Sequence, residues 1–184
     1  MVLEIKNILT SNQSKELIEI AEKSLIQMTT LGKQIDGYRT AQGTWLSKDL
    51  DITKDVMSIV SDYTSLPIEN MEDLHIVRYE IGGEYKEHHD FFFPNQDYYE
   101  SVCTNRGGQR LKSALFYLND DFEGGETHFP KLNKMIKPEI NKMIIWDNIN
   151  EDGSLDYDSL HAGLPVKSGV KYIGVVWIRE NKFV

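Results

Sequence analysis

The sequence predicts an α+β domain in which two amphipathic helices precede a mainly antiparallel β core, a sandwich or small barrel. Three observations lead there: helical spacing of apolar residues confined to the first third, short β-type runs from Leu74 onward, and turn residues between those runs. The chain has 184 residues, enough to enclose one core and too few for two ordinary ones, so 1–184 reads as a single domain.

The elements follow in order. Ser11-Asn12-Gln13-Ser14 can cap a first helix that carries Leu17, Ala21 and Leu25 in i, i+4 register. A second helix places Ile52, Val56, Ile59, Val60 and Tyr63 on one face and stops before Pro67. These helices make residues 1–70 a helical part that packs on a barrel of residues 71–184. Within the barrel the expected strands are LHIVRYE from Leu74, EYKEHHDFF from Glu84, LKSALFYLN from Leu111, MIIWD from Met143 and VKYIGVVWIRE from Val170. Gly82-Gly83, Gly107-Gly108 and Gly124-Gly125 punctuate them and supply tight turns. The longest irregular stretch, Pro94 to Gly108, exceeds ordinary loop length and reads as a lid or a disordered excursion.

Composition excludes several classes. Hydrophobic residues at 40% and charged residues at 27% are globular values, unlike disordered or collagen-like chains. A net charge of -9 without a Lys/Arg block would repel a phosphate backbone, so no nucleic-acid partner is expected. No apolar run approaches the roughly 18 to 20 residues of a membrane span, and the first residues lack the basic start and apolar run of a secretory signal. The expected setting is therefore cytoplasmic, without membrane partners. One cysteine, Cys103, rules out an internal disulfide and has no nucleophile motif around it.

Chemistry concentrates in the β region. His88 and Asp90 stand two apart, so on an extended strand they project from one face and can share a metal, while His89 points away. His161, in SLHAGLPV, supplies a third ligand type. Two imidazoles and a carboxylate on one face of an octahedral ion leave positions open, the arrangement of non-haem Fe(II) oxygenases. The zinc-protease HExxH helix is absent. Ten residues after His161, Lys171 falls on a mostly apolar strand, where a buried ammonium needs an anionic partner. Lys171, Ile173, Val175, Trp177 and Arg179 share one face of that strand, and Tyr172, Gly174, Val176 and Ile178 share the other.

HxD at His88 and Asp90, the distal His161, Lys171 ten residues later and the intervening GGQRLKSALFYLNDDFEGGETHFP together resemble the prolyl 4-hydroxylase family of Fe(II)/2-oxoglutarate dioxygenases. The likeness covers nearly the whole chain: RTAQGTWL from Arg39 is similar to the family's RTSxGxxL segment, and MEDLHIVRYEIGGEYKEHHDFF is similar to its strand leading into the metal site. The resemblance implies a double-stranded β-helix, a jelly-roll or cupin-like barrel, flanked by N-terminal helices. It implies Fe(II) on His88, Asp90 and His161, and 2-oxoglutarate with its far carboxylate on Lys171. Tyr79 and Thr127 would hydrogen-bond near that carboxylate. The cosubstrate O2 and ascorbate as reductant are implied as well. The partner would be a proline-containing peptide or protein, held through Glu72, Tyr85, Arg110 and Trp177 and hydroxylated at proline with release of succinate and CO2. Arg179 stands where some relatives have a histidine, which leaves peptide selectivity open. Two alternatives remain: an oxygenase of the same fold acting on another residue or a small molecule, and a metal-binding module without turnover.

Overall fold

The computed structural model describes residues 2–28 and 37–184. In chain order the elements are β1 (Val2–Ile5), α1 (Ser11–Ala21), β2 (Ile26–Gln27), β3 (Gln42–Leu46), α2 (Asp51–Thr64), β4 (Leu74–Tyr79), β5 (Tyr85–His88), α3 (Tyr99–Val102) and β6 (Arg110–Tyr117). They continue with β7 (Glu123–Gly124), β8 (Thr127–Phe129), β9 (Lys134–Ile136), β10 (Met143–Asp147), β11 (His161–Gly163), β12 (Val166–Ser168) and β13 (Lys171–Arg179). A seven-stranded antiparallel sheet runs β1-β10-β6-β13-β4-β3-β2, a four-stranded sheet runs β5-β11-β8-β9, and β12 pairs with β7.

The period-two alternation of the central strands builds the layers. One face of β4, β6, β10 and β13 supplies Val77, Leu115, Tyr117, Ile144, Ile173 and Val175, which meet Phe129 and Ile136 of the small sheet. The opposite face supplies Ile76, Phe116, Ile145, Val176 and Ile178, which meet Leu17 and Ala21 of α1 and Val56 and Val60 of α2. Both faces of β13 therefore fall as the sequence predicts. Two packed antiparallel sheets with helices on the outer face of one make the double-stranded β-helix, the jelly-roll fold.

Several local expectations change. The cap of α1 is Thr10: its hydroxyl accepts from Gln13 N at 3.2 Å, and the Gln13 side chain accepts from Thr10 N at 2.9 Å, a reciprocal capping box. Leu25 lies beyond the end of α1 yet still packs against the core. Tyr63 of α2 stays exposed at the rim, and the helix ends at Ser65, in left-handed conformation at φ 56. Residues 1–70 are not only a helical flank, because β1 pairs with β10, and β3 with β4, inside the large sheet. These strands escape a periodicity reading because each spans only four or five residues and β3 begins Gln-Gly. The stretch from Pro94 to Gly108 carries α3 and a 3-10 turn, with Cys103 buried beneath it. No helix among the described residues is long and apolar enough to cross a membrane.

Candidate active site

Strand pairing assembles the site. The antiparallel register of β5 and β11 sets His88 directly opposite His161. The strand β5 ends at His88, so Asp90 sits in the bend that follows and not on a continuing strand. It converges all the same: His88 Nε2 lies 3.8 Å from Asp90 Oδ1, and His161 Nε2 lies 3.8 Å from Asp90 Oδ2. Ligand atoms of the three residues all lie within 4.8 Å of one another, and no other such group occurs among the described residues.

The surrounding hydrogen bonds aim these atoms inward. His88 Nδ1 donates to the Lys86 carbonyl at 2.7 Å and His161 Nδ1 to the Ser159 carbonyl at 2.9 Å, so each ring turns its Nε2 lone pair to the centre. Burial, and then the neighbouring His161, pushes His88 down to about 3, which keeps it a neutral donor. Burial alone would raise Asp90, but the charge that His161 and His88 carry when protonated, with Arg110 and the Ser113 hydroxyl, holds it down to about 2. Ser113 Oγ donates to Asp90 Oδ2 at 2.6 Å and itself accepts from Asn148 Nδ2 at 2.9 Å. Neutral imidazoles and an ionised carboxylate are the forms that bind a divalent ion, so the residues present fit one. His89 faces elsewhere: its Nε2 donates to the Tyr157 carbonyl at 3.2 Å and its ring meets Phe91 at 4.5 Å.

A narrow cavity leads inward from the triad between the two sheets, lined by Tyr79, Leu115, Thr127, Trp146, Lys171 and Ile173. Lys171, paired with Tyr79 across β13 and β4, is 2% exposed. Its Nζ donates to the Gly125 carbonyl at 2.7 Å and lies 5.2 Å from the Tyr79 ring centroid. The expected carboxylate partner is absent among the described residues. Burial therefore prevails over the weaker field of Glu126 and lowers Lys171 to about 8. The Thr127 hydroxyl is 2.6 Å from the Tyr117 hydroxyl, a partner the sequence reading did not identify.

Outward from the triad opens a groove of about 1160 Å3, lined largely by aromatic rings and arginines. Here Glu72, Arg110, Tyr85 and Trp177 come together. Arg110 grips Glu72 with two hydrogen bonds, Nε to Oε1 at 2.6 Å and Nη2 to Oε2 at 2.9 Å, and its guanidinium lies 3.9 Å over the Trp177 ring. Arg179 Nε joins the same Glu72 oxygen at 2.7 Å. Burial works to raise Glu72, and the two guanidinium groups overcome it and hold the carboxyl below its usual value. Tyr85 stacks on His88 with centroids 3.5 Å apart, and Arg39 lies 4.7 Å over the Tyr85 ring. Arg39, Ser113, Asn148 and Tyr117 were not singled out from sequence. The alternation of β6, which puts Ser113, Leu115 and Tyr117 on one face, is the signal that could have found two of them.

Comparison with known proteins agrees with this geometry. Residues 74–179 match the family model of the 2OG-Fe(II) oxygenase superfamily. Over 97% of its length the chain is 33% identical to a putative prolyl 4-hydroxylase of Acanthamoeba polyphaga mimivirus, covering 74% of that protein. It is 34% identical over 96% of its length to probable prolyl 4-hydroxylase 10 of Arabidopsis thaliana, covering 68% of it. Among solved structures, the viral collagen prolyl hydroxylase of Paramecium Bursaria Chlorella virus-1, in its 2OG complex, superposes with a TM-score of 0.78 at 29% identity. The overlap covers 96% of this chain and 94% of that one.

Proposed function

We propose, for a chain that belongs to the 2OG-Fe(II) oxygenase superfamily and within it to the prolyl 4-hydroxylase family, that it hydroxylates peptidyl proline with Fe(II), 2-oxoglutarate and O2. The observation that carries this reading is a two-His, one-Asp triad at the junction of an inner cavity holding a buried ammonium, with no carboxylate bonded to it among the described residues, and an aromatic groove. A dianionic cosubstrate suits the first space, and a peptide suits the second.

His88, Asp90 and His161 would hold the iron. When bound, it supplies the oxidation that couples decarboxylation of 2-oxoglutarate, giving succinate and CO2, to insertion of one oxygen into a prolyl C–H bond. The protein's own part is placement and exclusion. Lys171 presents its ammonium to the far carboxylate, a charge-assisted contact at the inner end of the cavity. The Tyr117–Thr127 hydroxyl pair can turn one O–H toward the same carboxylate, and the Tyr79 ring walls it. Leu115, Ile173 and Val175 line the remaining wall and keep water away from the reacting centre. In the groove, Trp177 lies beneath the Arg110 guanidinium and, with Glu72, holds it flat, so that Nη1, which donates weakly to Asp90 O at 3.4 Å, can turn to a peptide carbonyl. Tyr85 braces His88 from the groove side.

Ascorbate as the reductant that keeps the iron ferrous is part of this reading. A cytoplasmic setting is part of it too, supported by a single, buried, free cysteine. The test is succinate release from 2-oxoglutarate by the purified chain with Fe(II) and ascorbate, with and without a proline-rich peptide. Stimulation together with one added oxygen on proline supports the reading. Basal succinate without stimulation redirects it to another substrate, and no iron-dependent succinate points to a binding module.

A further inference from the structure

Trp45, in the RTAQGTWL segment, has no role in the site just described, yet it lines the same groove. It belongs to β3 and is 45% exposed, an unusual place for an indole on a strand. Its inner face is fixed. Trp45 pairs with His75 across β3 and β4, and the two rings stack with centroids 4.2 Å apart at 13°. His75 in turn lies 5.6 Å from Trp177, and Trp45 lies 5.7 Å from it. The three rings form a compact triangle on β3, β4 and β13. This cluster borders the metal triad through Trp177, which pairs with Ser113, the residue that bonds Asp90.

The fully buried ring shows what the cluster is for. His75 is 0% exposed, and neither of its nitrogens has a hydrogen-bond partner among the described residues. Burying an unsatisfied polar group opposes folding, so what this ring contributes is its flat face and not its nitrogens. Burial, with Arg39 and Arg110 adding to it, keeps the imidazole neutral and the platform uncharged. Gly43 completes the arrangement. A Cβ there would stand 2.9 Å from His75 Nε2 and 2.7 Å from Met28 Sδ, so only glycine lets His75 lie flush beneath Trp45.

A braced, half-exposed indole in a groove continuous with the reaction centre is suited to stacking on a ring of the bound peptide. Extended proline-rich segments dock on such aromatic walls because they carry rings in a conformation already paid for in entropy. Resting on the prolyl hydroxylase reading, we propose that Trp45, braced by His75, is a stacking subsite for a second proline of the same peptide. The chain would then select a proline-rich segment over an isolated proline.

The test uses the full chain and synthetic peptides with one target proline and a second proline one, two or three residues away on either side. Ring stacking of this kind predicts that the second proline lowers KM about three- to tenfold at one spacing, with kcat unchanged. Affinity of a labelled peptide for the iron-free chain should change by the same factor. Trp45→Phe, which keeps a ring, should retain the preference. Trp45→Leu, which keeps bulk without a ring plane, should remove it while leaving turnover of the single-proline peptide intact. No gain at any spacing in the wild type, or an equal gain in Trp45→Leu, overturns the subsite. If the wild type hydroxylates no proline peptide, the prolyl hydroxylase reading fails, and the iron-free binding comparison alone decides the subsite.

Discussion

At the scale of single residues, roles divide by what each side chain touches. His88→Ala or Asp90→Ala should abolish iron-dependent turnover with the circular dichroism spectrum retained, because each removes a ligand atom from the triad. His89→Ala should leave substantial activity, since that ring faces Tyr157. Loss of activity only in the His89 variant would relocate the metal. Lys171 carries a pH prediction. Its ammonium is needed for an anionic ligand, and in the free chain it loses its proton as pH rises through about 8. The KM for 2-oxoglutarate should therefore be flat below pH 8 and climb above it, approaching roughly tenfold per pH unit as the neutral amine takes over. Lys171→Ala should raise that KM at every pH and flatten the climb. A wild-type KM independent of pH up to 10 would count against the assignment. Glu72 answers two buried guanidinium groups, so Glu72→Gln should cost about 3 to 5 kcal/mol in denaturant unfolding, beyond any loss of peptide binding.

At the scale of elements, the stretch from Pro94 to Gly108 is the one whose motion bears on function. Its root is tied down: Arg106 Nε donates to the Val184 carbonyl at 3.1 Å, Asn181 N to the Gly107 carbonyl at 2.9 Å, and Gln109 N to Glu180 at 2.8 Å. Its leading part places Gln96, Asp97 and Tyr98 along the groove. An anchored root with groove-lining residues ahead of it is how a lid is built. Replacing residues 95–101 by a short glycine linker should raise the peptide KM and let succinate form in excess of hydroxyproline, read from the ratio of the two products. Unchanged coupling and affinity would remove the lid. On the outer layer, Thr10→Ala should cost α1 about 1 kcal/mol by loss of its capping box, measured by urea unfolding, with activity unchanged.

At the scale of the whole molecule, the triad exists only in the folded chain, because His88 and Asp90 are separated from His161 by five β-strands, β6 to β10. A divalent ion that binds the triad must then stabilise the fold by mass action, about 2.7 kcal/mol at a hundredfold excess over Kd. That corresponds to several degrees in Tm for a chain of this size. Adding Fe(II), or a redox-inert divalent ion in its place, should raise Tm, and a chelator should reverse it. The shift should vanish in Asp90→Ala, which separates binding at the triad from adsorption at other carboxylates.

The sequence by itself determined the candidate ligand types and their spacing, and the faces of the longer strands. His88, Asp90, His161 and Lys171 were legible because histidine is scarce in the chain and the spacing of the four resembles a known family, while strand alternation fixes the face of Lys171 without reference to partners. The two faces of β13 were legible for the same reason. Tertiary structure alone decided the rest. The strands β1 and β3 have too few residues to show a period and exist because β10 and β4 offer hydrogen-bonding edges. The register that sets His88 against His161 depends on a pairing between distant segments. The Glu72–Arg110–Arg179 cluster, the Tyr117–Thr127 bond and the braced Trp45 likewise join residues far apart in the chain, and only folding fixes such distances. Local pattern states what a residue can do, and the packing of remote strands states what it meets.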